Sequence, residues 1–136
     1  MPVQQTVTVT LQQVVVFLDA SNRYLGAHKE ESKLSYALKK VGKSLEKVLT
    51  KYQEDRVEAE IDCCSEDERK NIIRDANGNL SFTKDGLRQR NVKFKALLAE
   101  TVLVAPHYVG APEGLEEFYI EAFTPFVLEP VEVSNV

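Results

Sequence analysis

From Thr6 to Thr10 the chain alternates polar and apolar side chains, every one β-branched, which is the pattern of a half-buried strand. The period then changes. Leu11, Val14, Val15 and Leu18 recur at helical spacing, and Thr10 stands three residues before Gln13. This predicts a capping box and a short helix ending near Asn22 or Gly26. The run Val14-Val15-Val16 favours extended backbone, so the same residues also allow one longer strand through Phe17.

The strongest pattern comes next. Leu34, Leu38, Val41, Leu45, Val48 and Tyr52 are spaced 4-3-4-3-4, a heptad seam in a stretch without proline. With Glu30 and Glu31 in its first turn, where the helix dipole favours acids, it predicts a helix over about 29–60. A second amphipathic helix, about 84–100, carries Leu87, Phe94, Leu97 and Leu98. The seam is expected to bury against this face in an antiparallel hairpin. Between the two helices, Ser65-Glu66-Asp67-Glu68 has the form of another capping box. Asn77-Gly78, flanked by Ile72-Ile73 and Leu80-Phe82, predicts a β-hairpin tip. Thr101–Ala105 is a second strand, expected to pair with Val7–Leu11. No internal repeat stands out.

After Pro106 the prolines at 112, 125 and 130 punctuate a segment rich in aromatics and acids. It is too apolar to be disordered and too broken by proline for a central strand. The fold class is therefore α+β: a helical hairpin with a small antiparallel sheet over residues 1–105, and an extended C-terminal arm over 106–136, in one domain overall.

Composition and charge sharpen this. At 136 residues, 43% apolar and 28% charged, the chain can bury a core without a metal or disulfide. Residues 1–95 hold all 17 basic side chains and 14 acids, while residues 96–136 hold seven acids and no base. Such a bias suggests that the tail meets the basic body of its own or another copy. The net charge of −4 argues against a general nucleic-acid binder. The longest apolar run, Val14–Leu18, is far short of the roughly 20 residues of a membrane span. No basic-then-apolar signal opens the chain, so it is not expected to be secreted. Adjacent Cys63 and Cys64 cannot readily bond to each other and are read as reduced thiols.

Candidate chemistry is sparse. His28, His107, Cys63 and Cys64 show no metal-ligand spacing. There is neither a nucleophile elbow nor a glycine-rich phosphate loop. Asp75-Ala76-Asn77-Gly78-Asn79 fails as a calcium loop because Ile73 and Lys84 occupy two ligand positions. No catalytic residue, metal or cofactor is expected, and the chain is read as a non-enzyme. The candidate binding residues are Lys33, Lys40, Lys43 and Lys47, which form a basic helix face with Lys39 and Lys51 beside it, and Phe118, Tyr119, Phe123 and Phe126 of the arm. An ordinary solvated surface would account for the same lysines. The functional alternative is a docking face for an acidic partner, most simply the arm of a second copy. No aromatic is read among the lysines, so single-stranded nucleic acid is not expected. Nor is a membrane or a small-molecule ligand.

Val16-Phe17-Leu18-Asp19, Ser35-Tyr36-Ala37-Leu38, Lys51-Tyr52, Asp75-Ala76-Asn77-Gly78-Asn79 and Leu97-Leu98-Ala99-Glu100 follow in a familiar order. Over residues 6–105 the chain resembles a family of small uncharacterised proteins encoded by tailed bacteriophages and prophages. The resemblance implies a phage origin, a place in the bacterial cytoplasm during infection or in the virion, and no catalytic residues. The expected function is a phage-encoded assembly or interaction protein that self-associates through its helices and arm. The alternative is a phage-encoded inhibitor or nucleotide sponge acting against host defence, for which Arg56, Arg88, Arg90 and Phe82 are the available residues.

Overall fold

The computed structural model describes residues 5–130; the last six residues of the expected arm lie outside the described residues. Strand β1 (Val7–Thr10) passes without a loop into helix α1 (Leu11–Ala27). The junction is the expected capping box. The Gln13 N–H donates to Thr10 Oγ1 at 3.1 Å, and the Thr10 N–H donates to Gln13 Oε1 at 2.8 Å. That exchange ends the strand at Thr10 and removes the alternative of a strand through Phe17. Strand β2 (Thr101–Val104) pairs antiparallel with β1, from Val7 opposite Val104 to Thr10 opposite Thr101.

Helix α2 (Lys33–Ser44) starts four residues later than 29 because Ser32 and Ser35 cap each other, at 2.8 and 3.0 Å. Glu30 and Glu31 therefore precede the helix. The long helix is also interrupted, with Leu45 standing between α2 and α3 (Glu46–Cys63). The Leu45 N–H reaches both Val41 O and Gly42 O, while its own carbonyl accepts from Leu49. The hydrogen-bond ladder thus runs across the one residue between the two helices.

Two compact units form. The first comprises residues 5–49 and 101–130, joined by the β1–β2 ladder, so the division falls elsewhere than at 105/106. Its core contains Val14, Phe17, Leu34, Leu38, Val41 and Leu45, together with Phe123, Phe126 and Val127. The seam was expected against Phe94, Leu97 and Leu98. It is buried instead against α1 and the C-terminal segment. The expected arm is extended only as far as residue 116, where helix α5 (Glu117–Phe123) begins. The Phe17 ring stacks on Phe126 at 4.3 Å and meets Phe123 edge-on at 6.0 Å. The N–H groups of His107 and Val109 donate to the carbonyls of Phe126 and Val127. Phe123 and Phe126, read as partner-binding residues, are therefore core residues of their own chain. The physical reason is that α1 and α2 each leave an apolar row for a third layer to cover, and this segment supplies it.

The second unit, Thr50–Glu100, is the helical hairpin of α3 with α4 (Lys84–Ala99). Asp62 pairs with Lys93 at 3.3 Å, and the Arg56 guanidinium lies 4.6 Å from the Phe94 ring centre. Gly86 is buried where α4 begins; a Cβ there would stand 2.5 Å from the Cys63 carbonyl oxygen. The intervening loop holds an eight-residue repeat that was not foreseen from the sequence. Asp67 Oδ1 accepts from the N–H groups of Arg69 and Asn71, and Asp75 Oδ1 from those of Asn77 and Asn79. Each turn has a left-handed residue three places after its Asp: Lys70 (φ 68°) and Gly78 (φ 81°). Ser65 caps no helix. It belongs to a small meander in which Glu66 bridges Ile72 and Arg74 bridges Leu80, so the expected hairpin tip is present.

Phe126→Ala should lower stability by about 3–5 kcal/mol, read by denaturant unfolding. Truncation after Gly110 should abolish the cooperative transition of the first unit, which a tail lying on a partner would leave in place. Lys70→Gly should raise stability by roughly 1 kcal/mol, since glycine relieves the left-handed cost that lysine bears. An unchanged or lower midpoint would count against that assignment.

Candidate functional site

Lys33, Tyr36, Lys40 and Lys43 are spaced 3-4-3 and occupy the side of α2 opposite buried Leu34, Leu38 and Val41. Lys47 follows on α3. All four lysines read as binding residues are exposed. An aromatic does interleave with them: Tyr36 is 60% exposed in the middle of the row. This corrects the expectation of no aromatic among the lysines, and the 3-4-3 spacing of the row is the sequence signal that places Tyr36 there.

Beside this row lies a cleft of ≈ 830 Å³. One wall is Glu31, just before α2, with Lys33, Tyr36 and Lys39 of the helix; the other is the extended segment from His107 to Gly110. The two backbone bonds from His107 and Val109 to residues 126 and 127 hold that second wall in place. The His107 ring meets Tyr36 edge-on at 5.6 Å. Lys40 Nζ lies 3.4 Å from His107 Nδ1, and an ammonium can only donate, so Nδ1 accepts there. Among the described residues Lys33 and Lys39 form no salt bridge. The hydroxyls of Ser32 and Ser35 are occupied by the capping box. A smaller pocket of ≈ 210 Å³ shares Glu31, Ser35 and Lys39 and reaches His28, whose ring stacks on Tyr24 at 4.1 Å.

The other sequence candidates lie elsewhere. Of the arm aromatics, Phe118 is 45% exposed with Arg23 6.0 Å from its ring centre, Tyr119 is half-buried, and Phe123 and Phe126 are inaccessible. Two of the three arginines considered for a nucleotide site, Arg56 and Arg90, face rings of their own chain. Arg90 sits 5.0 Å from the Phe82 centre and 5.3 Å from that of Phe94, and Arg56 faces Tyr52 and Phe94. Among the described residues the buried Arg90 Nε has no hydrogen-bond partner, as suits a guanidinium held by ring faces. Arg88 is exposed and 3.5 Å from Asp85. Cys63 and Cys64 are buried free thiols, and Cys64 Sγ donates to the Ile61 carbonyl. Among the described residues no group of three His, Cys, Asp or Glu is placed to hold a metal, and no helix is long and apolar enough to cross a membrane.

The chain matches no family model, no curated protein and no solved structure. The cleft is therefore read from its own chemistry: rings on two sides, ammonium groups at the edge and, among the described residues, the carboxylate of Glu31.

Tyr108, a wall of the cleft, has its phenol pKa raised above the ordinary 10.0, first by burial and then by the negative charge of Glu129. Both causes disfavour the phenolate. Alkaline difference spectra should show one tyrosine ionising later than the ordinary value. Glu129→Gln should bring that midpoint down, and an unmoved midpoint would remove Glu129 as a cause.

Proposed function

We propose that the protein is a non-enzymatic assembly protein, encoded by a tailed phage or prophage, that self-associates through its helical hairpin. The observation that carries this reading is the poor burial of the hairpin's own apolar residues. Val57 is 59% exposed, Ile61 40% and Val92 66%. On α3, Val57 and Ile61 lie one turn apart on the side away from buried Tyr52, Ala59 and Cys63. On α4, Val92 lies away from Gly86, Arg90 and Phe94. Two helices alone cannot cover such rows, and exposed apolar patches mark interaction surfaces.

Charge selects the partner. Helix α3 carries six acids against three bases, and α4 five bases against one acid. The acidic outer face of α3, with Glu54 and Glu58 beside Val57, complements the outer face of α4, with Arg88 and Lys95 beside Val92. A second copy of the chain brings these two faces together. Because they lie on the outer sides of their helices, the contact is head-to-tail, leaving one free face at each end and allowing growth beyond a dimer.

Sedimentation velocity over a concentration series should show species larger than a dimer that shrink as salt is raised. Val57→Glu and Val92→Glu should each give monomers when alone. Mixed together they should form a 1:1 pair, since each keeps the face the other has lost. A wild-type chain that stays monomeric at every concentration and salt would overturn the proposal.

A further inference from the structure

We propose that the cleft between the start of α2 and residues 107–110 binds a nucleotide unit, an aromatic base carrying a sugar and a phosphate. The inference stands apart from the hairpin assembly, which uses other residues.

Size is the first support. A space of ≈ 830 Å³ lies within the roughly 300–1,000 Å³ range of small-ligand sites, and its walls are mainly apolar. The second support is an exposed aromatic side chain outside the core. Tyr36 is largely exposed, lies on the face opposite the core row of α2, and contributes nothing to the core cluster. Its ring and those of His107 and Tyr108 bring three flat surfaces to one cleft. Flat rings bind a base by stacking, whatever its identity.

The third support is charge. The chain is acidic overall, yet two ammonium groups without salt-bridge partners among the described residues, Lys33 and Lys39, line this cleft, and Lys40 stands beside its His107 wall. They suit a phosphate, which lysine binds as a point charge. Glu31 would repel a phosphate placed against it, but its carboxylate accepts hydrogen bonds from sugar hydroxyls. Dinucleotide-binding folds use an acid in the same way. An acidic peptide would satisfy the lysines and leave the rings unused, and an apolar ligand would leave the lysines unused. A base, a sugar and a phosphate use all three kinds of group.

A nucleotide unit can come from a free nucleotide or from a single strand, and the test separates the two sources. The full chain is titrated by calorimetry with a nucleoside monophosphate, a nucleoside triphosphate, a short single-stranded oligonucleotide, the bare nucleoside and inorganic phosphate. Saturable 1:1 binding of the nucleotides is expected, weaker for the bare nucleoside and weakened by salt. Tyr36→Ala should weaken it roughly tenfold or more, in line with the loss of one stacking surface, and circular dichroism should show an unchanged fold. Lys33→Gln with Lys39→Gln should erase the preference for the phosphorylated forms. Binding of the oligonucleotide without the free nucleotides would support the site and assign it to a strand. The proposal is overturned if no nucleotide or oligonucleotide saturates, if inorganic phosphate binds as tightly as the nucleotides, or if Tyr36→Ala binds like the wild type.

Discussion

The first unit depends on burying the apolar row of α2. Leu34, Leu38, Val41 and Leu45 are almost wholly removed from water, and no single neighbouring element covers them. Helix α1 supplies Val14 and Phe17, and the C-terminal segment supplies Phe123, Phe126 and Val127. The two contributions meet in the stack of Phe17 on Phe126. At roughly 25 cal/mol per Å² of apolar surface, rings of this size stabilise a small core more than most other side chains can. The same packing fixes the position of residues 107–109, because their backbone bonds run to residues 126 and 127. The wall of the cleft is thus a consequence of the core.

The second unit solves the same problem with fewer apolar residues. Its buried positions include Tyr52, Ala59, Cys63, Cys64 and Gly86, mostly small or amphipathic. Between the helices it places the alternating series Tyr52, Arg56, Phe94, Arg90 and Phe82, in which each guanidinium faces two rings. Planar, weakly hydrated guanidinium groups can fill such a layer where lysine could not. The arginines are thereby withdrawn from ligand binding. Large apolar side chains that this layer does not use remain on the outer sides of the hairpin.

Helix α2 divides the two roles along its length. Its inner face is committed to the core, and its outer face of Lys33, Tyr36, Lys40 and Lys43 is free of that task. The interruption at Leu45 separates this helix from α3, whose outer face is acidic. One nearly continuous helical stretch thus carries a basic aromatic face at its start and an acidic apolar face further along.

Local signals in the sequence determined most of the elements, though neither the break at Leu45 nor helix α5 was among them. The strand before Thr10, the capping box, the α2 seam, the span of α4, the Asn77-Gly78 turn and the β1–β2 pairing all follow from period, cap and turn chemistry, which act over a few residues. The lysines were legible as one face for the same reason, and Tyr36 at the same spacing could have been read with them. The Asp-based repeat at 67 and 75 was also present, as two Asp-x-x-x-Asn strings eight residues apart. Only the tertiary structure decided which surfaces meet. A heptad seam states that a helix must be covered and not by what, so Phe94 and Phe126 were equivalent partners until packing distinguished them. It also decided that Phe123 and Phe126 of the C-terminal segment are turned into the core, and that His107 comes to Tyr36 from 71 residues away. Covering an apolar row is a non-directional demand that any apolar segment can meet, and the choice among them is made by shape and chain connectivity.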